Sequence, residues 1–296
     1  MKFIQFSPVK LLFGPGMLDK LRDEPLPGRK ALLLTSRGTS VVKNGSLARV
    51  QAALDAQGIF YVHEATVEPN PLTTTVMAAG ERVRAEGCDF IVALGGGSVM
   101  DAAKAIAIVS TNEGHIWDYV QQGRGGRKPI ANDPLPIVAI STTAGTVSEN
   151  DGSGKITNNE NREKIGVNGH IGLFPKLAIF DPELMLTVPP HLTAYQGFDA
   201  LFHSVEAYIA GTANLMSDMF ALAAIENVSR YLTRAVRDGK DLEAREHVAF
   251  GNYASGFVMC VGSCASEHSL EHAMSAYHQE LPHGAGLIMI SRAYYR

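Results

Sequence analysis

One stretch constrains this chain more than any other: Phe90-Ile-Val-Ala-Leu94 runs without a break into Gly95-Gly-Gly-Ser98 and on toward Lys104. Five apolar residues with no polar alternation fit a strand buried on both faces, which is the habit of parallel sheets. Similar runs occur at Ala31-Leu-Leu-Leu-Thr35, Ile59-Phe-Tyr-Val62 and Ile137-Val-Ala-Ile140. Helical periodicity lies between them, at Ser46 to Ala56, with Leu47, Val50 and Leu54 on one side, and at Thr73 to Glu86. Alternation of this kind predicts an α/β domain with a doubly wound parallel sheet and right-handed crossovers, Rossmann-like in plan. A hairpin is expected between Ser153 and Val167, tipped by Asn158 to Asn161, and a further strand at Lys176 to Phe180.

Beyond Pro189-Pro190 the strand signals stop. Helical spacing then dominates from Leu192 to Tyr208, Ser217 to Val236, Ala244 to Met259 and Ala265 to Glu280. The expected organisation is therefore an α/β domain over residues 1–186 followed by an all-α domain over 187–296. Hydrophobic residues at 46% and charged ones at 19% fit a globular enzyme-like chain rather than a disordered one. With a net charge of −4 and no basic cluster, nucleic acid is not an expected partner. Nowhere do eighteen apolar residues run together, so no membrane span is expected. Three cysteines form no disulfide framework, and Met1 to Pro8 has no long apolar core of a secretory leader. Both point to a reducing, cytoplasmic location.

The glycine turn has a physical use. Glycines let backbone approach a phosphate, and the N–H groups and dipole of the following helix attract its charge. Ser98 and Asp101 have the spacing of a capping box. The G-x-G-x-x-G fingerprint is broken at Met100. A second loop, Ser141 to Glu149, adds Thr142, Thr143, Gly145 and Thr146, matching a ligand with phosphate and ribose oxygens. Ligands of such sheets bind at the carboxyl ends of the strands. The end of the first apolar run, Thr35-Ser36-Arg37-Gly38, has no carboxylate for an adenosine ribose. Arg37 either faces a 2′-phosphate, as NADP would carry, or is a solvated surface residue; NAD and NADP both stay open.

Four of the ten histidines fall between Glu267 and Gly284. His268 and His272 are four apart, on one helix face, and Asp199 and His203 repeat that spacing in an apolar setting. Pro282 should end the second helix, leaving His283 on a turn that folds back. One carboxylate and three imidazoles from two helices and a turn suffice for an open divalent-metal site. The remaining histidines, His278 among them, read as surface or satisfied core residues. Cys260 and Cys264 read as small buried apolar groups.

Taken together these residues resemble the iron-containing (group III) alcohol dehydrogenases over essentially the whole chain. Further marks are Phe13-Gly-Pro-Gly16, Thr142-Thr-Ala-Gly-Thr146, Asp181-Pro-Glu183 and Gly197-Phe-Asp-Ala-Leu-Phe-His203. The resemblance implies metal ligation by Asp199, His203, His268 and His283, with Fe(II) the expected ion and zinc its alternative. It places His272 beside nicotinamide and substrate as a proton-relay group. It assigns Asn70, Gly96, Gly97, Ser98, Asp101, Thr142, Thr143, Thr146 and Lys164 to the NAD or NADP cleft, with Ser36 at a position where many members carry Asp. The implied reaction is reversible hydride transfer between a small alcohol or aldehyde and the nicotinamide, in a homodimer or larger homo-oligomer. The family pattern continues past Arg296, so the helical domain is expected to be incomplete. Two alternatives stay open: a glycerol-dehydrogenase-like polyol oxidoreductase, and a non-catalytic nucleotide- or metal-binding fragment. A sugar-phosphate cyclase of the same architecture would want basic residues clustered near Asp199 or His268, and none are present.

Overall fold

The computed structural model describes residues 3–296. Strand β1 (Lys10–Phe13) opens the chain, and β2 (Lys30–Ser36), α1 (Ser40–Lys43), α2 (Ser46–Ala56) and β3 (Phe60–Val67) follow. Next come α3 (Thr73–Glu86), β4 (Phe90–Gly95), α4 (Gly97–Thr111) and β5 (Ile137–Ser141). The hairpin β6 (Gly154–Asn158) and β7 (Glu163–Val167) precedes β8 (Leu177–Phe180). All remaining long elements are helices: α5 (Pro190–Ile209), α6 (Leu215–Arg237), α7 (Leu242–Val261), α8 (Glu267–Tyr277) and α9 (His283–Tyr294).

Residue contacts divide the described chain into two units. The first holds residues 8–142 and 152–181. Its sheet has the order β1-β8-β5-β4-β2-β3, and every pairing is parallel. β4 and β5 lie in the middle and are buried along their whole length, which is why their sequences show no alternation. The chain runs from β2 outward to β3, then returns to the other side of β2 to place β4. The order therefore reverses between β2 and β4, and the crevice at their carboxyl ends is the position where doubly wound sheets take ligands. A Cβ on Gly95 would come within 2.6 Å of Val99 Cγ2, so only glycine lets α4 start this close to the strand end. α4 begins at Gly97 with no side-chain cap, so the expected Ser98–Asp101 box does not form. Trp117 and Tyr119 are buried in this unit's core.

The second unit gathers residues 3–7, 143–151 and 182–296. The division falls at Asp181/Pro182 rather than at 186/187, and the Thr143–Asp151 segment joins the helices. Polar contacts explain that excursion: Asn252 Nδ2 donates to Glu149 Oε1 at 2.6 Å, and the Ala144 N–H donates to Gln196 Oε1 at 3.3 Å. Helices α5, α6 and α7 pack through small residues; Ser204 and Ser255 hydroxyls meet at 2.7 Å between α5 and α7. The single helix expected over Ala265 to Glu280 is shorter, ending at Tyr277. His283 does not lie on a turn but opens α9, since Pro282 is tolerated as the residue before a first helical turn. No helix among the described residues is long and apolar enough to cross a membrane.

Candidate metal centre

Helix α5 carries Asp199, His203 and Glu206 on one buried stripe, at spacings of four and three. Helix α8 presents buried His268 and Glu271 in the same way, and His283 starts α9. A Cβ on Gly284 would lie 2.2 Å from the Tyr195 carbonyl oxygen, so glycine is what lets α9 begin directly against α5. The side chains converge on one carboxylate. His268 Nε2 lies 3.2 Å and His283 Nε2 3.6 Å from Asp199 Oδ1. His203 Nδ1 is 2.9 Å from the Asp199 carbonyl oxygen and 3.2 Å from Oδ1.

Two further carboxylates fix the rings from behind. Glu206 takes the N–H groups of Glu267 and His268 at 2.6 and 3.2 Å and also meets His268 Nδ1. Glu271 meets His283 Nδ1. In each ring Nδ1 thus faces a backing carboxylate and Nε2 faces Asp199. Imidazoles that ligate metals are held in this way, with the outer carboxylate setting tautomer and orientation.

Electrostatics agree with a cation-binding pocket. Burial alone would raise the Asp199 carboxyl, but His203, His283 and His268 together hold it below the usual carboxylate range. Burial, with His268 alongside, pushes His203 down to about 4, so this ring is neutral. Burial also works against a charged His268, yet Cys264, Asp199 and Glu206 outweigh it and raise its pKa well above the ordinary imidazole value. A divalent ion at the Nε2 atoms would take the place of that proton.

Among the described residues, ligand-bearing atoms come within 4.8 Å of one another in three sets: Asp199, His268 and His283; His203, Cys264 and His268; Glu271, His272 and His283. Asp199, His268 and His283 of the expected ligands form one set, and His203 falls in another, with His268 and Cys264. His272 is half-buried, and its ring lies 5.2 Å from that of His283 at an angle of 24°. Nitrogen and oxygen donors of this kind suit iron and zinc alike. Sequence spacing gives Glu206 and Glu271 no role and reads Cys264 as a small buried apolar group, whereas its thiol is half-buried beside His203 and His268. A carboxylate three residues after His203 and after His268, on the same buried stripe, is the signal for the first two.

The expected cofactor residues divide between the units. Ser36, Asn70, Gly96 to Ser98 and Thr142 lie at or just beyond the carboxyl ends of β2, β3, β4 and β5, with Asp101 one turn into α4. The Thr142 N–H donates to the Gly95 carbonyl at 2.9 Å. Asn70 is buried with a left-handed φ of 53°, in the turn capped by Glu68, which accepts from the Leu72 N–H at 2.7 Å. Lys164 is buried on β7 opposite Thr157, whose own buried hydroxyl has no partner among the described residues. A ligand polar group reaching the hairpin would satisfy that hydroxyl. Thr143 and Thr146 pack with the helical unit instead.

Together, a parallel sheet with a glycine-started helix at its switch point and a buried Asp/His cluster define a nucleotide- and metal-dependent class of enzyme. Comparison with known proteins is narrower. Residues 8–182 match the family "Iron-containing alcohol dehydrogenase", and residues 193–294 match "Fe-containing alcohol dehydrogenase family, C-terminal". A 1,3-propanediol dehydrogenase of Citrobacter freundii is 38% identical over 92% of this chain and 69% of its own length. The solved structure of an archaeal halo-thermophilic alcohol dehydrogenase from a Red Sea brine pool is similar with a TM-score of 0.94 and 38% identity, over 98% of this chain and 73% of that one. The NADH-dependent butanol dehydrogenase A of Thermotoga maritima gives 0.88 and 33%, over 97% and 71%. The chain belongs to the iron-containing alcohol dehydrogenase family, oxidoreductases that act on CH–OH groups with iron and a nicotinamide cofactor.

Proposed function

We propose that this chain interconverts a small primary or secondary alcohol and its aldehyde or ketone, with Asp199, His203, His268 and His283 holding the metal and the β2–β5 strand ends holding NAD or NADP. The observation that carries this reading is the pair of Nε2 atoms aimed at Asp199, each ring backed by its own carboxylate. When bound, the ion supplies Lewis acidity toward the substrate oxygen. The chain's own residues supply the rest. Asp199 contributes a permanent negative charge, and Glu206 and Glu271 keep the His268 and His283 rings in the ligating tautomer. His272, less buried than His268, carries the hydroxyl proton toward solvent. Gly96, Gly97 and Ser98 present backbone N–H groups to the cofactor phosphates, with Ser36, Asn70, Asp101, Thr142, Thr143, Thr146 and Lys164 as further contacts. Ser36 puts no carboxylate at the end of β2, and Arg37 beside it is exposed, which leaves room for either cofactor.

A polyol is the alternative substrate class. A homodimer or larger homo-oligomer in the cytoplasm is the accompanying expectation, checked by light scattering and fractionation; three cysteines outside any disulfide fit a reducing compartment. The decisive test is His268→Ala. Metal content and turnover should vanish while nicotinamide binding persists, in an absorbance assay over a panel of alcohols and aldehydes with NAD and NADP compared. A variant that oxidises alcohols at the parental rate overturns the assignment.

A further inference from the structure

Cys264 occupies a place that the alcohol dehydrogenase reading does not use. It lies in the non-helical segment between α7 and α8, four residues before His268. Its sulfur belongs to the same 4.8 Å set as the ligand atoms of His203 and His268. Those two rings are buried and stand 4.0 Å apart, tilted by 39°. Cys264 itself is half-buried, with Met259 Sδ 3.5 Å from its Sγ. Gly262 to Ser266 belongs to no helix, so Cys264 reaches the two rings from a connecting segment.

We propose that Cys264, His203 and His268 form a second coordination triad, selective for thiophilic divalent cations such as zinc, cobalt or cadmium. Thiolate sulfur and imidazole nitrogen are both donors that zinc accepts, with bonds of about 2.0–2.3 Å. Softness separates this triad from Asp199, His268 and His283, whose carboxylate and imidazoles accept harder ions. The two triads exclude each other. Glu206 occupies the Nδ1 side of His268, so this ring offers a single lone pair, and one ion at a time can take it. Binding at the thiol triad displaces the ion from Asp199. The inference goes beyond the proposed reaction and does not require that the chain oxidise alcohols.

The test uses the full chain, stripped of metal and titrated with Co²⁺. Thiolate ligation gives a near-ultraviolet sulfur-to-cobalt charge-transfer band, which carboxylate and imidazole donors do not. The wild-type protein should show the band, and Cys264→Ser should lose it while retaining Cys88 and Cys260. Cobalt affinity in that variant should fall by about tenfold or more, a loss that even outer-sphere partners of a metal can cause. His283→Ala, which interrupts only the other triad, should keep the band. As a check that needs no variant, Zn²⁺ should protect Cys264 from iodoacetamide in the wild-type protein and Mg²⁺ should not, as read by peptide mass spectrometry. Absence of the band in the wild type, its survival in Cys264→Ser, its loss in His283→Ala, or equal alkylation with Zn²⁺ and Mg²⁺ would each overturn the proposal. Turnover enters none of these readings, so a failure here is distinct from failure of the dehydrogenase assignment.

Discussion

Glu206 is a buried carboxylate that accepts two backbone N–H groups and a histidine ring from another helix. Burial alone would raise its pKa, but His268 holds it below the usual carboxylate range, so it stays ionised beside the metal pocket. Replacing it with Gln keeps shape and removes charge. Glu206→Gln should therefore weaken metal binding by about 10–100-fold, with circular dichroism unchanged; competition against a chelator measures it. Glu271→Gln should act in the same direction through His283. A metal affinity unchanged in both variants would reduce these carboxylates to helix-packing roles.

At the element scale, the centre depends on where α9 starts. Gly284→Ala would set a Cβ 2.2 Å from the Tyr195 carbonyl oxygen, and that backbone atom cannot swing aside as a side chain can. The variant should lose about 1–3 kcal/mol of stability in urea titration and bind metal more weakly, since His283 is the preceding residue. The α6–α7 connection offers a test against pH. Arg234 pairs with Asp241, the N-cap of α7, at 2.9 Å and with Glu243 at 2.6 Å. Arg234 first, then the Ala244 N–H, hold the Asp241 carboxyl below its ordinary value. A depressed folded-state pKa stabilises above the unfolded value of about 3.9 and is lost as pH falls through the folded one. The Tm gap between wild type and Asp241→Asn should be small, because the pair is solvent-exposed, constant at neutral pH, and should close below about pH 4.

For the whole molecule, an ion held as proposed would be a stabiliser, because the proposed ligands come from three helices that separate on unfolding. At 100 times the Kd, one site contributes about 2.7 kcal/mol. Chelation should thus lower the Tm of the wild type and leave His268→Ala unmoved, as differential scanning calorimetry would show. Sequence alone determined what rests on local patterning. Uninterrupted runs such as Phe90–Leu94 specify strands buried on both faces, and Asp199/His203 and His268/His272 share helix faces because four residues make one turn. It also placed Gly95 where strand and helix must meet closely. Tertiary structure alone decided what rests on meetings between distant segments. It put β1 beside β8, took Thr143–Asp151 into the helical unit through Glu149 and Asn252, and started α9 at His283 because Gly284 abuts Tyr195. It likewise decided which carboxylates back which rings, since Glu206 and His268 are 62 residues apart. Spacing along a chain fixes a side chain's face on its own helix, whereas its partner on another helix is chosen by packing.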